Sequence, residues 1–278
     1  MSVDVPGAAS TEALGINAAG QIVGDYFNSR MHGFQLDGGA FASIDVPGAV
    51  RTSARSVNSA GQIVGLYDTS LARPSHGFLY VAGSFTPIDV PGARSTVASG
   101  INAAGQVVGY YEDGTGLHDF RKDERGVYTT VDIPGAIITL ASGINNTGEI
   151  VGRYRDDGGL HGFVYASGLY QSLNVPGADS TTAWDVNALG QVVGSYTGPV
   201  PGQHGYLYSG GMFSTIDVDA SGGSGDGRAR NQRRGRNCRR INRPLGRCAR
   251  LPSHAGSRAA GNRDDRRRVR TPTGRHGR

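Results

Sequence analysis

The chain has 278 residues, with 28 lysines and arginines against 23 acidic residues, a formal charge of +5, 45 glycines and two cysteines. Cys238 and Cys248 both lie in the arginine-rich last stretch, and the rest of the chain has none, so neither a disulfide framework nor a CxxC metal site is supported. No segment reaches the apolar length of a membrane span, and the start MSVDVPGAAS carries no signal-peptide pattern, so no export signal is expected in it.

The first element is a fragment. Ser2 to Val5 reads as a short strand stopped by Pro6-Gly7, and the same phrase recurs later only at the end of a longer unit. It is a fourth strand without the three that should precede it. Five units of about 43 residues follow, over about 9–49, 50–93, 94–136, 137–178 and 179–218. Each carries one core phrase: GINAAGQIVG from Gly15, SVNSAGQIVG from Ser56, GINAAGQVVG from Gly100, GINNTGEIVG from Gly143 and DVNALGQVVG from Asp185. Their asparagines Asn17, Asn58, Asn102, Asn145 and Asn187 are spaced by 41, 44, 43 and 42. A His-x-aromatic triplet follows in every unit, at His32, His76, His118, His161 and His204, and the units close on phrases like IDVPGA. A period of this size means a stacked or ring-closed array, because one unit alone cannot bury both of its faces.

The third unit shows the internal pattern. Ser95 to Asn102 reads as a strand ended by the turn Asn102-Ala103-Ala104-Gly105, and Gln106 to Tyr111 is a β-branched and aromatic run of strand length. The polar stretch from Glu112 to Leu117 turns the chain, His118 to Phe120 opens a third strand, and Tyr128 to Ile133 makes a fourth. No window has helical periodicity, so the chain is predicted all-β. Four antiparallel strands per unit, with near-continuous apolar runs in the second strand, predict a β-propeller-like array of five four-stranded blades, or six if a further unit exists. An open β-solenoid is the competing architecture and suits shorter repeats better. The glycine inside each second strand (Gly24, Gly65, Gly109, Gly152, Gly194) is expected to mark close backbone approach between blades.

The repeat domain ends near residue 220, and 221–278 reads as a disordered tail of different composition. It holds 18 of the 28 basic residues, all arginine, and three acidic ones, a net of +15 against −10 for residues 1–220. Such a tail suits nucleic-acid phosphate, or a solvated polar tract. A third reading explains more. Read from the second base of each codon, Arg230 to Arg240 permits GINAAGAIVG, a further copy of the core phrase. The same displaced frame through Ala249 to Ser253 permits HGFL, its histidine 17 codons after the restored asparagine, which itself falls 45 codons after Asn187. The tail therefore reads as a frameshifted sixth repeat, with the shift between Ile216 and Arg228, whose fourth strand would be the fragment at the start of the chain. Nucleic acid is a partner only if the tail is translated as printed.

The G-I-N-x-x-G-Q-[IV]-V-G phrase followed by His-Gly-Phe resembles the HAF-repeat family of probable extracellular bacterial proteins, over nearly all of residues 1–218. His118-Asp119-Phe120 and His204-Gly205-Tyr206 depart mildly from the triplet. The resemblance implies a secreted or surface-associated repeat protein and carries over no catalytic residues and no cofactor.

No nucleophile constellation, phosphate loop or H-E-x-x-H motif is present. The asparagines and histidines kept in every unit are expected to serve the unit rather than to gather a metal. The aspartates before Pro-Gly are expected to stabilise turns, since Asn174 replaces one of them. Acidic loops at Glu112-Asp113-Gly114 and Asp156-Asp157-Gly158 read as hairpin turns rather than calcium sites.

Function is expected where the units differ. One first-strand slot holds Leu14, Arg55, Ser99, Ser142 and Trp184, and the only tryptophan and an arginine there suit a ligand of carboxylate or sugar character. The loops after the second strands, with Arg30, Arg73, Asp113, Arg153, Arg155 and 199–203, vary most and share one face. Arg55, Trp184, Arg73, Arg153 and Asp185 are thus the candidate ligand-binding residues, on a monomer that binds a glycan or protein partner without catalysis. The alternative is an enzyme acting on polysaccharide through Asp185, Arg55 and His118.

Overall fold

The computed structural model describes residues 3–70 and 74–217. Arg73, the arginine-rich tail with its two cysteines, and the displaced reading frame lie outside the described residues.

Twenty strands and no helix make up the described residues. The first sheet is β1 (Ser10–Ile16), β2 (Ile22–Asn28), β3 (Arg30–Asp37) and β4 (Ala40–Ile44), and the second is β5 (Arg51–Val57), β6 (Ile63–Asp68), β7 (Ser75–Val81) and β8 (Ser84–Ile88). The third is β9 (Ser95–Ile101), β10 (Val107–Glu112), β11 (Leu117–Lys122) and β12 (Tyr128–Thr130). The fourth is β13 (Ile138–Ile144), β14 (Ile150–Asp156), β15 (Gly159–Ala166) and β16 (Leu169–Leu173), and the fifth is β17 (Ser180–Val186), β18 (Val192–Thr197), β19 (His204–Ser209) and β20 (Met212–Ile216). Each is an antiparallel meander in chain order, and a single parallel pairing of Leu160 with Ser180 joins the fourth sheet to the fifth.

Successive sheets pack face to face, and the repeated apolar positions fall at these boundaries. Val23 and Ile44 of the first sheet bury against Ala54, Val57, Ile63 and Phe78 of the second. Val64 and Ile88 meet Ala98, Ile101, Val107 and Phe120 in the same way one boundary later. Such side chains, buried from two sides, explain why the second strands read as continuous apolar runs rather than alternations.

The asparagines tie the boundaries with polar links. Asn102 Oδ1 accepts from the backbone N–H of Ala104 and Gln106, closing its own turn, while its Nδ2 donates to the Asn145 carbonyl of the next sheet at 3.1 Å. Asn17 donates likewise to Asn58, Asn58 to Asn102, and Asn145 to Asn187. The histidines stay within their own sheets. Nδ1 of His32, His76, His118 and His204 bonds Asp45, Asp89, Asp132 and Asp217 at 2.6–3.1 Å, and His161 bonds Asn174 at 2.9 Å. Each ring also packs on a tyrosine of the second strand, as His32 does on Tyr26 at 5.0 Å.

The second-strand glycines differ from expectation. A Cβ on Gly24 would be driven into the Glu12 carbonyl and the Phe34 ring, both in the same sheet, and Gly65 and Gly109 meet the Ser53 and Val97 carbonyls in the same way. The close approach is within the sheet. Between sheets it is the first-strand Gly15 whose Cβ would crowd the backbone of Arg55 and Ser56.

Candidate functional site

The crowding at the second-strand glycine has a cause that builds the site. Every first strand pairs with its second strand through a β-bulge, with the register slipping at Leu14, Arg55, Ser99, Ser142 and Trp184. The extra residue bends the strand and brings the preceding carbonyl onto the partner strand, which only glycine tolerates. The bulged residue is left unpaired and its side chain is re-aimed. All five of these residues line one central channel of about 910 Å³. The variable slot and the constant glycine are two sides of one backbone feature.

A second variable position joins them. The residue after each second-strand glycine is Asp25, Leu66, Tyr110, Arg153 or Ser195, and the first four of these also line the channel. Sequence reasoning placed Arg153 and Arg155 in a loop, whereas both lie within β14, and Arg153 faces the channel. The signal was available, since this slot varies directly behind the invariant Val-Gly pair in each unit.

The chemistry of the channel is set by its guanidiniums. Arg51 pairs with Asp68 at 2.8 Å. Arg55 and Arg153 make no ion pair among the described residues, and the buried Nε of Arg55 has no acceptor there. Burial lowers the Arg153 pKa, and the neighbouring positive charge of Arg55 lowers it further. Arg153 lies over the Trp184 ring, 5.4 Å from its centroid, and Trp184 Nε1 donates to Ser195 Oγ at 3.0 Å. The indole is 46% exposed, so part of it still faces open space. Asp185, beside it, also lines the channel. Its side chain is solvent-exposed in that opening, and Oδ1 accepts from the Val186 N–H at 2.8 Å.

Asp119 was not a candidate from sequence. It stands where the other units have glycine, is fully buried, and accepts through Oδ1 from the Ala141 N–H of the next sheet at 2.8 Å. Among the described residues its Oδ2 has no partner, and burial pushes its pKa well above the ordinary carboxylate range.

Other expected sites fall elsewhere. None of the five repeat histidines lines the channel, so His118 does not converge with Arg55 and Asp185. Among the described residues no three His, Cys, Asp or Glu side chains gather as a metal site. Asp113 instead holds its own turn by accepting from Thr115 at 2.7 Å, and Asp156 accepts from the Gly158 N–H. Arg30 reaches the Ala49 carbonyl and Asp45, at the edge of its own sheet.

No protein-family model and no curated protein matches the chain. Solved structures do. The chain is similar to TolB from Acinetobacter baumannii, at 15% identity and a TM-score of 0.56, over 73% of this chain and 52% of that one, so that it spans about half of that protein's length. It is similar to a catalytically inactive virginiamycin B lyase from Staphylococcus aureus with quinupristin, at 12% identity and a TM-score of 0.51, over 78% and 73%. It is also similar to the β-propeller domain of the Trilobed protease from Pyrococcus furiosus, which has an open velcro topology, at 9% identity and a TM-score of 0.51, over 76% and 70%. At these identities the likeness is one of fold. With four-stranded antiparallel sheets packed face to face around a central channel, the fold of this chain is a β-propeller.

Proposed function

We propose that this chain is a noncatalytic binding module, working outside the cell or at its surface, and that its channel takes a carboxylate-bearing glycan. The observation that carries this reading is the pair Arg55 and Arg153. Both guanidiniums face the channel without a carboxylate partner among the described residues, and one is backed by an exposed indole. A guanidinium offers a planar fork of donors that matches a carboxylate, while the face of an indole suits the apolar side of a sugar ring. The mixed residues around them support selectivity rather than a general basic surface, since Glu12 and Asp25 line the same channel from the first sheet. No helix among the described residues is long and apolar enough to cross a membrane.

The test is calorimetric titration with oligogalacturonate beside a neutral glucan of the same length. Binding of the acidic oligomer alone is expected, weakening as salt rises and lost in Arg55→Gln and Arg153→Gln. Equal binding of both oligomers, or of neither, overturns the reading.

One observation favours the alternative of a polysaccharide-active enzyme. Asp185 presents an exposed carboxyl to the same channel, beside the Trp184 indole. Release of reducing ends or unsaturated products from an acidic polysaccharide, abolished by Asp185→Asn, would establish that alternative.

A further inference from the structure

Three sets of groups at the two ends of the described array are halves of contacts that every interior boundary completes. The first set is apolar. Val23, Val64, Val108 and Val151 are fully buried against the following sheet, while their counterpart Val193 in the fifth sheet is 43% exposed. Ile44 and Ile88 are likewise buried at 2% and 1%, while Ile216 is 53% exposed. On the opposite side, Val57, Ile101, Ile144 and Val186 are 5–6% exposed, and their counterpart Ile16 in the first sheet is 67% exposed. The fifth sheet therefore shows one half of the repeated boundary and the first sheet shows the other.

The second set is the asparagine chain. Asn187 Nδ2 bonds Gln191 within its own turn, but among the described residues it has no carbonyl of a further sheet to donate to, and the Asn17 carbonyl receives no such donor. The third set is at residues 3–9. The Val5 N–H donates to Thr11 Oγ1 at 3.0 Å, as Val46 does to Thr52 and Val90 to Thr96, and the Ala8 N–H donates to the Val5 carbonyl, as Ala49 does to Val46. The segment thus already follows the path by which a fourth strand leads into the next sheet. Asp4 stands where Asp45 and Asp89 stand in that path, yet among the described residues no histidine pairs with it.

We propose that a sixth sheet closes the ring between the fifth sheet and the first. Its strands are the repeat written in the displaced frame of the codons for 218–278, and Val3 to Val5 take the places of Ile44 to Val46, the end of the fourth strand and its exit toward the next sheet. The displaced frame supplies an asparagine to receive from Asn187 and donate to Asn17, and a histidine for Asp4. A second copy of the chain packed head to tail would cover the apolar faces, but its fourth strand brings Asp217 already bonded to His204 and leaves Asp4 without a histidine. The sixth repeat answers all three sets.

The test compares the printed chain with one whose frame is restored by deleting a single base between the codons for Ile216 and Arg228. Thermal unfolding of both is followed with and without Asp4→Ala. The expected result is a higher midpoint for the restored chain, lowered by about 2–4 °C by Asp4→Ala, with no effect of that change in the printed chain. Amide exchange at Val193 and Ile216 should slow in the restored chain. A restored chain no more stable than the printed one, or an Asp4→Ala change silent in both, overturns the proposal. So does a concentration-dependent oligomer of the printed chain that Val193→Glu disperses, since a second copy then fills the position. Resequencing the source gene across the codons for 213–238 is independent of folding: a missing or extra base supports the sixth repeat, and the printed frame overturns it.

Discussion

Arg153 of β14 lies over the indole of Trp184, the bulged residue of β17, and so joins the fourth sheet to the fifth at the wall of the channel. Because Trp184 is the only tryptophan in the chain, its fluorescence reports on this part of the channel wall. A cation over an aromatic face contributes about 0.5–2 kcal/mol depending on exposure. Arg153→Gln is expected to cost about 1 kcal/mol in urea unfolding and to alter the intensity of the native emission. Oligogalacturonate should quench that emission in the parent protein and leave it unchanged in the variant.

Asp119 predicts an unusual pH dependence. Its folded pKa is raised by burial from an ordinary value of 3.8, so the folded carboxyl holds its proton more tightly than the unfolded one. Its contribution is therefore fully present below the unfolded value and is lost as pH rises through the folded one. Asp119→Asn keeps an acceptor for the Ala141 N–H and removes the charge. The variant should be more stable than the parent by ~1–3 kcal/mol at neutral pH, with the difference vanishing below pH about 4. Equal stability of the two proteins across that range would refute this.

The asparagines should differ by position although they look alike. Asn102 closes its own turn and also reaches the next sheet, whereas Asn187 does only the first among the described residues. With each bond worth about 1 kcal/mol net, Asn102→Ala is expected to cost about 2–4 kcal/mol and Asn187→Ala about 1 kcal/mol less. Chemical denaturation of the two variants checks the order.

His204 should titrate above the ordinary histidine value of 6.5, because Asp217 accepts its Nδ1–H bond and the Val200 carbonyl faces Nε2. The charged ring favours the folded chain, so this contribution is present below 6.5 and lost as pH rises through the raised value. In an NMR titration the transition should move down in Asp217→Asn. An unmoved transition would remove Asp217 as the cause.

Much of this fold was legible because the same phrase occurs five times. The turn at Asn102-Ala103-Ala104-Gly105 follows from residue type alone, and Gly105 takes the left-handed φ of 78° such a turn needs. Strand existence follows from runs such as Val107-Val108, and the third-unit strands fall within a few residues of the expected ends. The bulge was not legible, because a sequence does not print pairing register. It left a trace, a varying residue opposite an unvarying glycine, and that trace pointed to Arg55 and Trp184 while its cause stayed hidden. Arg153 was named but placed in a loop, since Arg153 to Asp157 looks like polar turn sequence. The arrangement of Asp119 was hidden for a different reason: one carboxylate in place of glycine reads as a mild departure until burial is known.

The bonds from Asn17 to Asn58 and onward all run one way, each unit donating to the one that follows. A unit of this kind carries both a plug and a socket, and they fit any sibling. Duplicating or deleting one unit in the gene therefore leaves the asparagine link at each junction unchanged, although contacts peculiar to one junction, such as Asp119 with Ala141, would be lost or displaced. The link itself needs no new surface when a unit is added, and the channel can meet a different ligand by changes at the bulge residues and at the position after each second-strand glycine.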